Sequence, residues 1–130
     1  MKIIFDTNVL ISAFISTGRS YDVIDDSIHS HQIYYTPFLL KELTSILKNK
    51  FKVSDSLIQE ILLFIERFFL EGKTGHLINI KECPDPNDVQ LLTDAFINNI
   101  DALITGDKDL LNMGFYKKTR ILSLKNYWSL

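Results

Sequence analysis

The sequence contains a single cysteine, Cys83, and therefore has no internal disulfide framework. One free thiol in a chain of ordinary composition fits a reducing compartment. No stretch approaches the roughly 18 consecutive apolar residues of a membrane-spanning helix. Asp6 also interrupts the apolar run that a secretory signal would need near the N-terminus. From these absences we expect a cytoplasmic protein.

A surplus of positive charge is missing too, because the formal net charge is −2 at pH 7. A nucleic-acid partner would therefore have to be held by local basic patches rather than by overall attraction. The chain has two clusters of basic residues: Lys41, Lys48, Lys50 and Lys52 in one segment, and Lys108, Lys117, Lys118, Arg120 and Lys125 in the last quarter. Such clusters are more often plain solvated surfaces, so both interpretations stay open.

The length of 130 residues suits one domain with a hydrophobic core, and we read residues 1–130 as a single domain. Strand-like runs alternate with helix-like runs, which predicts an α/β fold with a central, mostly parallel sheet flanked by helices. The pattern predicts strands at residues 2–6, 32–35, 76–80, 102–105 and 120–123. It predicts helices near residues 8–15, 20–30, 37–49, 54–71 and 86–98.

The fourth predicted helix is more apolar than a one-sided surface helix requires. Most of its apolar residues share one face, which we expect to pack on the core: Leu57, Ile58, Ile61, Leu62, Ile65, Phe68 and Phe69. Leu63 and Leu70 fall on the opposite face. Either they are ordinary exposed apolar residues, or this back face packs against a second subunit or a partner protein.

Four acidic residues stand where apolar runs end or where helices begin: Asp6, Glu42, Asp88 and Asp107. Asp6 and Asp107 each follow a strand-like run, and the carboxyl ends of parallel strands are where open α/β sheets bind ligands. Each acid also has a purely structural explanation. Glu42 viewed alone is typical of a solvated helix surface, and Asp88 lies in a first helical turn, where the helix dipole favours negative charge.

Converging carboxylates repel one another, and a divalent cation removes that cost. An all-oxygen site suits Mg²⁺ or Mn²⁺. The single cysteine and the scattering of His29, His31 and His76 argue against zinc. One or two hard cations can activate water and stabilise in-line attack on a phosphodiester. The acidic residues therefore predict a metal site suited to phosphodiester cleavage.

Taken in order, four parts of the chain resemble the PIN domain family. They are Ile3-Ile4-Phe5-Asp6-Thr7-Asn8-Val9-Leu10, Glu42 on the helix after the second strand, Pro84-Asp85-Pro86-Asn87-Asp88, and Leu103-Ile104-Thr105-Gly106-Asp107-Lys108-Asp109-Leu110-Leu111. The resemblance covers nearly the whole chain. In particular, the chain is similar to PIN proteins of toxin–antitoxin systems, which are related to the VapC ribonucleases.

The resemblance implies a five-stranded parallel sheet and a metal-dependent endoribonuclease that hydrolyses RNA phosphodiester bonds, acting as the toxin of a type II toxin–antitoxin system. It assigns metal binding and catalysis to Asp6, Glu42, Asp88 and Asp107. Asn8 and Thr105 match polar positions that orient the site, and Asp109 matches an acidic position that assists the metal directly or through water. The implied cofactor is Mg²⁺ or Mn²⁺. The implied partners are RNA, a second copy of the chain and a cognate antitoxin.

Two alternatives stay open. One keeps the chemistry in a housekeeping nuclease that processes RNA, which the sequence does not separate from a toxin. The other is a nucleic-acid-binding PIN module that no longer cleaves, and the intact acidic positions argue against it. An aspartyl phosphoacceptor is disfavoured, because Asp6-Thr7-Asn8 lacks the Asp-x-Asp pattern of phosphotransferases.

Overall fold

The computed structural model of the chain describes residues 1–78, 80, 81, 83 and 85–130. The strands are β1 (Lys2–Phe5), β2 (Gln32–Tyr35), β3 (Leu70–Glu71), β4 (Ala102–Ile104), β5 (Phe115–Tyr116) and β6 (Thr119–Leu122). The helices are α1 (Thr7–Ile15), α2 (Arg19–Ser30), α3 (Pro37–Asn49), α4 (Asp55–Phe68), α5 (Pro86–Ile97), α6 (Lys108–Met113) and α7 (Leu124–Tyr127). None of the helices in this described part combines the length and apolarity that crossing a bilayer requires.

The strands form one sheet in the order β3-β2-β1-β4-β6-β5. All neighbouring pairs are parallel except β5 with β6. The predicted α/β fold with a mostly parallel sheet is confirmed, and over the described residues the sheet has six strands rather than five because β5 adds a short antiparallel edge. Ile3 pairs with Ile33 on one side and Ala102 on the other, so β1 and β4 are central. Both strands are buried apolar runs, as expected for a sheet covered on both faces.

The third predicted strand, residues 76–80, is wrong. The described residues of that stretch are irregular, and Asn79 lies outside the described residues. The strand at this edge is Leu70–Glu71, which pairs with the end of β2. Helix α4 ends at Phe68, three residues before the predicted boundary at residue 71, and this releases the backbone that forms β3.

Side chains of α5 hold the segment that follows β3. The backbone N–H of Lys73 donates to Asn98 Oδ1 and that of Gly75 donates to Asp94 Oδ1, both at 2.9 Å. A Cβ atom at Gly75 would lie 2.8 Å from Ile97 Cδ1, so a larger residue here would have to displace the end of that side chain. Inside the predicted strand, the backbone N–H of Ile78 likewise donates to Thr93 Oγ1 of α5 at 3.4 Å, so this segment bonds to a helix instead of a neighbouring strand.

Ser, Thr and Asp side chains favour N-cap positions, so the sequence predicts caps at three helix starts. The structure confirms them, because each side chain accepts a hydrogen bond from the first turn: Thr36, Ser54 and Asp85. Helix α1 differs from the prediction, because it begins at Thr7 and the N-cap position belongs to Asp6. Asn8 is of a residue type that favours N-cap positions, but it is an exposed residue inside the first turn.

Helix α4 packs on the core through Ile58, Ile61 and Ile65. The predicted core face is wrong at its two ends, because Leu57 and Phe68 are 40% and 45% exposed. Both line a cavity of about 380 Å³ between α4 and the first two helices, so they face a groove and not the sheet. Leu63 and Leu70, on the predicted back face, are exposed.

Candidate active site

A threonine hydroxyl connects the ends of the two central strands. Asp6 follows β1 directly, and its backbone N–H donates to Ile104 O of β4 at 2.9 Å. The Thr105 hydroxyl donates to Asp6 Oδ2 at 2.7 Å and accepts from the backbone N–H of Asp107 at 3.0 Å. Thr105 is fully buried. The adjacent parallel strands thus bring Asp6 and the Asp107 segment together at the carboxyl edge of the sheet.

Glu42 reaches this region from the second turn of α3. Its Oε1 atom accepts a hydrogen bond of 2.5 Å from the hydroxyl of Thr7, the first residue of α1. Thr7 is buried and Glu42 is half-buried. The bond ties α3 to the start of α1, next to Asp6. Glu42 is therefore held against the sheet edge and is not an ordinary solvated helix residue.

Asp107 caps α6. Its Oδ1 atom accepts from the backbone N–H groups of Asp109 at 2.8 Å and Leu110 at 3.1 Å. Aspartate favours N-cap positions, so from the sequence Asp109 is also a candidate cap, but the N-cap of α6 is Asp107. Asp109 is exposed in the first turn of α6.

Asp88 lies half-buried in the first turn of α5, and its pKa is affected by the other acids. Burial is the main reason why its pKa is raised to about 7, and the charges of Asp107, Asp85, Asp6 and Glu42 raise it further. Apart from burial, every influence on the pKa of Asp88 is the negative charge of a neighbouring acid. Residues from β1, α3, α5 and the β4–α6 connection therefore share one region of negative potential.

The pKa values of Asp6 and Glu42 are also raised, in both cases mainly by burial. Asp107 raises the pKa of Asp6 further, while the Thr105 hydroxyl and the backbone N–H groups of Thr7 and Asn8 lower it. The Thr7 hydroxyl lowers the pKa of Glu42, and the charges of Asp6 and Asp85 raise it. Hydrogen bonds thus offset only part of the cost of holding these carboxylates together.

Asp85 is a charge at the site that the sequence interpretation treated only as a cap. It does cap α5, since Oδ1 accepts from the backbone N–H of Asn87 at 2.9 Å. Its carboxylate also raises the pKa values of Asp88 and Glu42. The available signal was its three-residue spacing from Asp88, which places both on one side of the first turn. Pro84, in the same motif, lies outside the described residues.

Cys83 is buried beside these acids. Burial, with the charges of Asp88 and Asp85, raises the pKa of its thiol to about 11. The thiol therefore stays protonated at neutral pH. Because the thiolate is the nucleophilic form, Cys83 is unsuited to attack a substrate.

A model of the PIN domain family matches residues 2–109. The chain belongs to the PIN domain family. The matched region begins at β1 and ends at Asp109, so it contains every candidate residue described above. PIN domains form a family of nucleases.

A solved structure with the same fold is VapBC2 from Rickettsia felis bound to a DNA fragment from their promoter. The TM-score is 0.70 at 13% sequence identity, and the match covers 95% of this chain and 98% of that chain. Because the sequence identity is low, the comparison shows a shared fold and nothing more. No curated protein matches the sequence.

The acidic edge of this PIN domain fits a hard cation by its chemistry. Among the residues that the structure describes, no three His, Cys, Asp or Glu side chains form a ready-made metal shell. The like charges repel, and Glu42 and Asp107 are engaged in hydrogen bonds with Thr7 and with the start of α6. The potential donors are nevertheless carboxylate oxygens, which Mg²⁺ and Mn²⁺ prefer, and the charges of the neighbouring acids raise the pKa of Asp88.

The raised pKa values predict an unusual dependence of stability on pH for the PIN domain without divalent cations. Asp6, Glu42 and Asp88 bind protons more tightly in the folded chain than in the unfolded chain, where carboxyl groups titrate near about pH 4. Between about pH 4 and 7 the folded state therefore holds more protons, and the free energy of unfolding falls as pH rises. We expect the Tm in EDTA to decrease from pH 5 to pH 8, as measured by differential scanning calorimetry.

The substitution Asp88→Asn should raise the Tm at pH 8 and flatten this dependence, because it removes the carboxylate with the pKa near 7. A matched control is Asp25→Asn on the exposed surface of α2, which should leave the slope unchanged. If the Tm of Asp88→Asn falls with pH as steeply as that of the parent, the assignment of this pKa to Asp88 is contradicted.

Proposed function

We propose that this PIN domain is a metal-dependent endoribonuclease and that it acts as the toxin of a type II toxin–antitoxin system. One observation carries the catalytic part of the proposal. Carboxylates from four separate segments lie close enough at the carboxyl edge of the sheet that the charges of Asp6, Glu42 and Asp107 all raise the pKa of Asp88. A protein that keeps this unfavourable charge together is suited to bind a divalent cation there.

In this proposal Mg²⁺ or Mn²⁺ is held by four carboxylates: Asp6, Glu42, Asp88 and Asp107. When bound, such a cation makes water a better nucleophile and neutralises charge that develops on the phosphate. A bound cation would favour the ionised form of Asp88, whose pKa is raised to about 7 without it. PIN domains generally use divalent metal ions.

The neighbouring polar residues position these acids. Thr105 orients Asp6 and the backbone at Asp107, and Thr7 orients Glu42. Asp109 is exposed at the start of α6, where we propose that it assists through a water molecule. Asn8 contributes its backbone N–H, which lowers the pKa of Asp6.

The test is cation-dependent cleavage of RNA by the purified protein. We expect cleavage of single-stranded RNA in Mn²⁺ or Mg²⁺ and none in excess EDTA. Mn²⁺ at about 100 times its Kd should also stabilise the fold by about 2.7 kcal/mol, or roughly 10 °C in Tm. If Mn²⁺ produces neither cleavage nor a rise in Tm, the nuclease proposal fails and a non-cleaving binding module becomes the better description.

The toxin role and its partners rest on the resemblance to VapC-related proteins and on the fold shared with a chain of the VapBC2 structure. We propose a cognate antitoxin and a homodimer, for which the exposed Leu63 of α4 and Leu70 of β3 are candidate contact residues. Growth arrest on expression, relieved by a small reading frame adjoining the gene, would support the toxin. If the protein cleaves RNA but its expression does not slow growth, the housekeeping nuclease would be favoured.

A further inference from the structure

A groove lies beside the candidate active site, between α3 and the first turn of α5. Its volume is about 420 Å³, and it is lined by Phe38, Lys41, Glu42, Ser45, Ile46 and Asn87. This size falls in the range of small-molecule binding sites, which is about 300–1,000 Å³. Because Glu42 belongs both to the groove and to the acidic cluster, a group bound in the groove would be adjacent to the reacting phosphate.

Phe38 gives this groove an aromatic wall. It is half-buried, and it is not one of the buried residues that form the hydrophobic core of the described chain. The backbone of Phe38 is fixed in two ways. Pro37 begins α3 directly before it, and the backbone N–H of Phe38 donates to Thr74 Oγ1 at 2.9 Å. An aromatic side chain carried by a fixed stretch of backbone at the edge of an active site is suited to stack on a nucleobase.

Lys41 supplies a positive charge within this acidic region. It is exposed, directly precedes Glu42, and lies one turn of α3 after Phe38. Lys41 and Ser45 also line a second groove of about 660 Å³ on the other side of α3, together with Lys48 and Asn49. The two lysines are about 10 Å apart along the helix axis. On α3 these residues form a polar, basic stripe that leads away from Glu42, and Glu66 of α4 and Glu71 of β3 line the same groove.

We propose that the groove binds one nucleotide of a single-stranded substrate, next to the bond that is cleaved. Phe38 stacks on the base, Lys41 contacts a phosphate, and Ser45 and Asn87 offer a hydroxyl and an amide to the base edge or the sugar. The strand then continues past Lys48. Single-stranded substrate is required because a base can reach an aromatic wall only when it is unstacked from its neighbours. This inference deepens the proposed function and rests on it.

The test measures binding without cleavage. The full chain carrying Asp6→Asn is titrated into a fluorescent oligouridylate of about ten nucleotides in EDTA, and the Kd is read from fluorescence anisotropy. Adding Phe38→Leu should weaken binding about tenfold, whereas Phe38→Tyr should retain it, because tyrosine keeps the aromatic face. Lys41→Ala should weaken binding and reduce the salt dependence by about one phosphate contact.

Lys118→Ala is the matched control. Lys118 is exposed in the turn before β6, and β6 starts at the sheet edge opposite the acidic site. Its substitution removes the same charge and should leave the Kd unchanged. Circular dichroism melts should be recorded for every variant to check that each one is folded.

A Kd for Phe38→Leu within twofold of the parent would overturn the proposal. The proposal would also be overturned if Phe38→Leu changed the mass in light scattering from dimer to monomer and left the RNA affinity unchanged. The groove would then be an interface between copies of this chain. The measurement does not need catalysis. A wild-type protein that fails to cleave RNA would therefore count against the proposed function, while the groove would still be tested by binding.

Discussion

Replacing Asp6 with asparagine is expected to lower the rate of RNA cleavage by about 10³-fold and to leave the fold intact. Asp6 is the acid nearest the centre of the sheet, directly after β1, and Thr105 and the first turn of α1 hold it in place. Asparagine has nearly the same shape but no charge. The substitution therefore removes a proposed cation ligand and its charge without opening a cavity.

The structure explains why folding should survive this change. The Thr105 hydroxyl that donates to Asp6 Oδ2 can donate equally well to an amide oxygen. Burial and the charge of Asp107 raise the pKa of Asp6, so its ionised form is unfavourable in the absence of a cation. We therefore expect the Tm of Asp6→Asn in EDTA at pH 8 to equal or exceed that of the parent.

The measurement is the initial rate of cleavage of labelled single-stranded RNA in Mn²⁺, with the Tm recorded on the same samples. Asp25→Asn is the control, because it makes the same chemical change on the exposed surface of α2. It should cleave at the parent rate. Undiminished cleavage by Asp6→Asn would remove Asp6 from the site and with it the main support for the proposed mechanism.

The sheet and the positions of Asp6 and Asp107 follow from the sequence because the signals are local. Residues 3–5 and 102–104 are continuous apolar runs, each followed at once by polar residues, and two central parallel strands must end at the same edge. The caps at Thr36, Ser54 and Asp85 are equally local. Each depends on a side chain and a backbone N–H only two or three residues away.

The errors involve contacts between distant segments. Residues 76–80 have a strand-like composition, but the backbone just before them bonds to Asp94 and Asn98 of α5, and no local pattern specifies this. Glu42 looks like a surface residue of α3 because its partner Thr7 is 35 positions away. The charge of Asp85 at the site was missed for the same reason, since its cap is local and its effect on Glu42 spans two helices.

Substituting valine for Thr105 is expected to damage both stability and cleavage. Thr105 is fully buried, and its hydroxyl both donates to Asp6 and accepts from the backbone N–H of Asp107. Valine fills the same space and leaves both groups without this partner. Loss of such a hydrogen bond in a buried place costs about 1–3 kcal/mol. Loss of a residue that orients metal ligands typically lowers activity about 10- to 100-fold.

A second buried threonine separates these two effects. Thr119 begins β6 at the opposite edge of the sheet, and its hydroxyl donates to Ile100 O at 2.7 Å. Thr119→Val should therefore lose a similar free energy of unfolding, measured by urea denaturation, and cleave RNA at the parent rate. Thr105→Ser keeps the hydroxyl and should restore cleavage, although it loses about 1 kcal/mol with the methyl group. If Thr105→Val and Thr119→Val cleave RNA equally well, Thr105 supports only the fold, and the carboxylates do not depend on it for their orientation.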